Sequence, residues 1–175
     1  MKWFIGYQSA LELWRECEES LRKGTRKYNS SMLPTKPSDS ASLRHDNLWG
    51  LSSPLHIVVG NPSARKVSKG IKSHYCSIQL PPGSSVKVDD ITHVSSPELC
   101  FLQMAKDLSL VDLIALGFEL CGSYSLPSKG SDGFRKREPL TNIASIRHFL
   151  EKTKGTHGHR CAVRASKYVI DGAAS

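Results

Sequence analysis

The chain has 175 residues, enough for one domain with a full core. Only 39% of them are apolar, which leaves some stretch outside a packed interior. There are 24 Lys and Arg against 16 Asp and Glu, a formal charge of +8. That excess favours a polyanionic partner and is met equally by a basic but unspecific surface. Cys17, Cys76, Cys100, Cys121 and Cys161 are odd in number and never spaced C-x-x-C. This spacing argues against a disulfide framework or a zinc knuckle and for a reducing compartment. The N-terminal apolar run is too short for a signal peptide. The most apolar stretch, residues 99–121, carries Lys106, Asp107, Asp112 and Glu119 and is no membrane span. A cytoplasmic protein without membrane contact is expected.

Trp3-Phe4-Ile5 reads as a short strand. In "SALELWRECEESLRKG" Ser9 and Glu12 form an S-x-x-E capping box, so a helix is expected to start there. Ala10, Trp14, Cys17 and Leu21 give it one buried face, and Gly24 ends it. Residues 25–54 are rich in Ser, Pro and Asn, have no period, and read as a flexible linker, with Leu48, Trp49 and Leu51 docking its far end. Strands follow at 55–59, 73–80, 85–88 and 91–94, turned at Gly60-Asn61-Pro62, Pro81-Pro82-Gly83 and Asp89-Asp90. With no room for helices between them, they should pair mostly antiparallel.

A buried helix pair comes next. Its caps are read as Ser95 with Glu98 and Ser109 with Asp112, and Gly122 closes it. Glu98, Asp107, Asp112 and Glu119 are taken as its few solvent positions. Thr141 caps a third helix with Ile143, Ile146, Phe149 and Leu150 inside, and a last helix runs over 159–170. The expected architecture is one α+β domain: a small, mostly antiparallel sheet covered by a helix pair, with flanking N- and C-terminal helices. Residues 1–24 form its first strand and helix, 25–54 the linker, and 55–175 the main body.

Chemistry-bearing residues are mainly basic. No Asp or Glu occurs from Asn47 to Val88, and "NPSARKVSKGIKSH" places Arg65, Lys66, Lys69 and Lys72 between two strands. Such a loop can lie along phosphates, while a solvated hairpin tip kept soluble by lysines accounts for the same residues. Arg160, Arg164 and Lys167, at i, i+4 and i+7, form one helical stripe beside an apolar stripe of Cys161, Ala165, Tyr168 and Val169. Arg135-Lys136-Arg137 is a third cluster. Aromatic interleaving of the single-strand-binding kind is missing, as are zinc-finger, RNP-type, P-loop and dinucleotide motifs. His157-x-His159 reads as a basic loop rather than a metal site, and Asp89-Asp90 as a tight turn. Cys121-Gly122-Ser123 lacks the context of a nucleophile motif. No cofactor, metal or catalytic residue is expected.

In order, "IGYQSALELWR", "LHIVVGN", a basic hairpin and "THVSSPELCFLQMAKDLSLVDLIALGFELCGSY" resemble the domain of AbiEi-type antitoxins of type IV toxin–antitoxin systems. That domain also precedes Vsr-like endonuclease domains in actinobacterial proteins. Ser9, Ala10, Ser96, Pro97, Leu102, Ala105 and the Leu108-Ser109-Leu110 step stand where the pattern expects them. The resemblance spans about residues 5 to 124, more weakly 141 to 175, and carries over no catalytic residue. It implies a non-catalytic, nucleic-acid-associated accessory or regulatory domain, with DNA the favoured partner and RNA left open. Two alternatives stay open: a toxin-regulating protein-interaction module without nucleic-acid contact, and a truncated endonuclease. In the endonuclease-linked relatives a stretch like "AVRASKYVIDGAAS" continues into the nuclease core, which on this reading would lie beyond Ser175.

Overall fold

The computed structural model describes residues 3–16, 33–35, 50–65, 67–68, 70–125 and 135–172. The chain divides into two compact units, Met1–Ser96 and Pro97–Ser175, within an α+β fold. In the first unit β1 (Trp3–Ile5) leads into α1 (Tyr7–Glu16). There follow β2 (Leu55–Val59), a 3-10 turn (Pro62–Ala64), β3 (Val67–Ser68), β4 (Ile71–Tyr75), β5 (Ser85–Lys87) and β6 (Thr92–Ser95).

These strands form one sheet in the order β3-β4-β2-β1-β6-β5. It is mixed, with three antiparallel pairings and two parallel ones. β1 runs parallel to β6 (Phe4↔His93) and β2 parallel to β4 (Val58↔His74). β1–β2, β3–β4 and β5–β6 are antiparallel. The reason is topological. After β2 the chain returns along β3, and β4 then inserts between them, so a return strand takes the place of a crossover helix. The N-terminal strand, in turn, is the middle of the sheet. Trp3, Phe4 and Ile5 are all buried, as a strand covered on both faces requires.

Helix α1 begins at Tyr7, before the expected cap. Ser9 lies inside it, and its hydroxyl accepts the N–H of His56 at 2.9 Å. The Glu12 carboxylate accepts the N–H of Ser52 at 2.8 Å. The S-x-x-E pattern therefore ties the helix to β2 and to the residues before it instead of capping its own end. Trp14 Nε1 donates to Ser95 O at 2.9 Å and fastens the helix to β6. The later part of this helix, with Cys17, Leu21 and Gly24, lies outside the described residues, as do Leu48 and Trp49 and most of 25–54. Within that segment Leu33 is buried and Pro34 O accepts Gly60 N–H, so this part is packed against the end of β2. The β5–β6 turn is as expected: Asp89 Oδ1 accepts the N–H groups of Ile91 and Thr92.

The second unit holds α2 (Pro97–Met104), α3 (Leu110–Cys121), the short pair β7 (Tyr124–Ser125) and β8 (Arg135–Lys136), α4 (Ile143–Lys152) and α5 (His159–Ser166). The pair α2–α3 packs with α4 and α5. Ser109 caps α3 as read, accepting Asp112 N–H at 3.2 Å and donating to its carboxylate at 2.6 Å. Ser95 instead belongs to β6, its hydroxyl donating to Ile5 O. The cap of α4 is Asn142, not Thr141, whose hydroxyl donates to the buried Glu98 carboxylate. Glu98 and Glu119 are therefore not solvent positions: both are buried. Asp171, read as part of a connector, accepts Ile143 N–H at 2.7 Å and places a carboxylate at the N-terminus of α4.

Gly117 of α3 faces Val169, which is fully buried, and a Cβ there would lie 2.4 Å from Val169 Cγ2. An ordinary mid-helix Gly→Ala change stabilises by up to about 1 kcal/mol. Here overpacking, about 1–3 kcal/mol, outweighs that gain. Gly117→Ala is expected to lower stability in urea titration, and Val169→Ala in the same chain to recover much of the loss. A more stable Gly117→Ala protein would show that α3 and the chain after α5 are not in this contact.

Candidate nucleic-acid interface

The sequence of α5, "HRCAVRAS", places small residues on one face and long cations on the other. Ala162, Ala165 and Ser166 are buried, with Val169 beyond the helix end, and Arg160, Arg164 and Lys167 are exposed. The three cations read as one stripe thus reach solvent. The apolar stripe is placed differently from the expectation: Cys161 is exposed and Tyr168 is 59% exposed. The helix stops at Ser166, so its period does not extend to Tyr168, and the alanines allow the close packing that a tyrosine would prevent. Lys152 and Lys154 are exposed nearby in the sequence, as is His157.

Helices α4 and α5 also line a cleft of about 350 Å³. Leu150 and Val163 make it apolar, and Arg147, Lys154 and Lys167 border it. The Arg147 guanidinium donates to Ser166 O through Nε and a terminal nitrogen, at 3.3 and 2.8 Å. His159 donates Nε2–H to Leu150 O at 2.8 Å, which fixes its ring. The sequence reading missed Arg147 and this cleft. Their only signal is that Arg147, Leu150, Glu151 and Lys154 recur at i, i+3, i+4 and i+7.

In the first unit Arg65 is exposed, its guanidinium 5.6 Å from the centre of the Tyr75 ring, a cation–π contact. Lys72 is exposed on β4. Lys66 and Lys69 lie outside the described residues. Lys87 is engaged by Asp90 at 2.7 Å, and this pairing holds the Asp90 carboxyl below its ordinary range. In the third cluster one residue, Arg137, is not at the surface. Lys136 is exposed, but Arg137 is buried and donates to Glu119 O at 2.6 Å, so it serves the fold and not a ligand. The Arg135 side chain lies outside the described residues.

A ring cluster in the same unit was not legible. Tyr7 has φ 53°, a left-handed backbone that costs about 1–2 kcal/mol in a non-glycine residue. Its ring stacks on His74 with centroids 3.7 Å apart, and His74 Nε2 lies 3.2 Å from His56 Nδ1. One of these nitrogens donates and the other accepts. His56, Lys72 and His74 share a face through the β2–β4 register, which no spacing in the sequence reveals. Among the described residues no group of three or more His, Cys, Asp or Glu side chains is placed to hold a metal ion. No described helix is long and apolar enough to cross a membrane.

Comparison with protein-family models, curated proteins and solved structures finds no match.

The thiols differ sharply. Cys100 and Cys121 are buried, as small core residues should be, and Cys161 is exposed. Burial first, then the carboxylates of Asp171 and Glu98, push the Cys121 thiol up to about 12. Near pH 8 its thiolate fraction is roughly a thousandfold below that of a free cysteine. Alkylation of the native protein with peptide mapping should modify Cys161 rapidly and Cys100 and Cys121 only after unfolding. Early labelling of Cys121 would contradict the packing of α3.

Proposed function

We propose that the chain is a non-catalytic, nucleic-acid-associated accessory or regulatory domain. It resembles, in sequence order, the AbiEi-type antitoxin modules that accompany Vsr-like endonucleases. On this reading it works in the cytoplasm, its partner is DNA, and it carries no cleavage chemistry of its own. The observation that carries the proposal is the exposed stripe of Arg160, Arg164 and the C-cap residue Lys167, along a helix with no carboxylate. In the first unit Arg65 and Lys72 add exposed cations. Contacts of this kind neutralise phosphates and release counterions, so they give affinity and little sequence preference.

Duplex DNA affinity is expected to fall with salt by about 0.9 log units per log unit of salt for each phosphate contact. Replacing Arg160, Arg164 and Lys167 together by Ala should flatten that slope by roughly 2.7, at three contacts of about 0.9 each, and weaken binding to unrelated sequences alike. Fluorescence anisotropy over a salt series measures both quantities. Affinity that ignores salt, or a slope untouched by the triple substitution, would sink the reading.

A second reading, regulation of a nucleotidyltransferase-type toxin through protein contact, is favoured by Tyr168 and Ile170, 59% and 62% exposed. Exposed large apolar groups of this sort suit a protein interface. On this reading the chain makes no nucleic-acid contact, so it predicts no duplex DNA binding and loss of neutralisation of a toxin encoded beside this gene on replacing Tyr168→Ser with Ile170→Ser. Retained neutralisation would remove that reading.

A further inference from the structure

The cleft between α4 and α5 has a composition that phosphate contact alone does not use. Its volume, about 350 Å³, is at the small end of the roughly 300–1,000 Å³ found for small-molecule sites. Val163 lines it with hydrocarbon over a buried floor at Leu150, and Arg147, Lys154 and Lys167 outnumber its one carboxylate, Glu151. That carboxylate lies 3.7 Å from His148 Nδ1. Two planar groups in the lining are already held by backbone carbonyls. The Arg147 guanidinium is anchored on Ser166 O and the His159 imidazole on Leu150 O. Groups fixed beforehand lose little freedom when a ligand settles on them.

A duplex keeps its bases stacked inside and offers this cleft only phosphates, which leaves the hydrocarbon wet. A single strand offers both kinds of group. An unpaired base suits the apolar lining and the planar guanidinium and imidazole, and its flanking phosphates suit the lysines. We propose that the α4–α5 cleft seats one unpaired base of a single-stranded nucleic acid, with the adjoining phosphates on Lys154, Lys167 and Arg164. This rests on the nucleic-acid reading above and narrows it to single strands.

The test is a titration at one salt concentration with three probes of one sequence. They are a DNA strand and an RNA strand, each carrying 2-aminopurine, and the DNA duplex. At least one single strand is expected to bind about tenfold more tightly than the duplex, the order of one stacked base, with a change in 2-aminopurine emission. Val163→Phe fills the cleft from a partly exposed position. It should remove the preference while leaving duplex affinity and its salt slope unchanged. The wild-type comparison stands whether or not that variant folds. Equal, salt-dependent affinity for strand and duplex would overturn the cleft proposal and leave phosphate binding intact. Absence of binding to every probe would overturn both.

Discussion

The first unit depends on a strand of three residues that must serve as the centre of a six-stranded sheet. Trp3, Phe4 and Ile5 are buried and hydrogen-bonded between β2 and β6, and the chain must leave the sheet at once. The departure sets the surrounding chemistry. Gly6 N–H still reaches His56 O, but β1 pairs with β2 at the single position Ile5↔Ile57. The N–H of His56 therefore needs another acceptor, since a buried backbone donor without one costs about 1–3 kcal/mol. The Ser9 hydroxyl, one turn into α1, supplies it. To bring that turn back over the sheet, Tyr7 takes a left-handed backbone, and its ring rests on His74. The strain, the missing cap and the ring stack all follow from the shortness of β1.

In the second unit the corresponding constraint is closeness of backbone. Ala162 and Ala165 are fully buried, Gly117 leaves room for Val169, and Gly158, at φ +86°, would place a Cβ 3.0 Å from Lys106 N. Small residues let α5 approach its neighbours, and what cannot be small is turned outward. Arg160, Arg164 and Lys167 are exposed because the inner face has no volume for them. The basic stripe and the tight packing are thus two results of one pattern.

Features that depend on nearby residues were legible in the sequence. The Ser109 cap, the Asp89-Asp90 turn and the exposed stripe on α5 each involve groups within a few positions of one another. What was missed depends on partners far apart. Ser9 and Glu12 have the right spacing for a capping box, yet their acceptors are taken by His56 and Ser52, some 40 residues on. Thr141 looks like a cap and is claimed by Glu98, while the neighbouring Asn142 does the capping. Arg137 sits in a basic run and is nevertheless buried, because Glu119 O offers it a strong acceptor. Parallel pairing of β2 with β4 needs a return strand only two residues long, too short to give a period.

The same limit explains why charge is an incomplete guide to the site. Cations on a helix face attract any polyanion, and screening weakens them all together, so a stripe by itself gives affinity without choice. Choice requires a surface that one partner fills and another leaves wet. In this unit such a surface arises where α4 and α5 meet across the turn at 153–158. Thr153 Oγ1 bonds back to Phe149 O, and Thr156 Oγ1 to Thr153 O. That turn brings Leu150 and Val163 to one cleft and leaves Lys154 and Lys167 at its border. On the proposal above, hydrocarbon bordered by exposed cations favours a ligand that alternates flat apolar groups with phosphates. A phosphate contributes nothing to the Leu150–Val163 lining, and a bare base nothing to the lysines. On the proposal above, discrimination is a property of the turn that joins two helices, and the basic residues supply the attraction on which it acts.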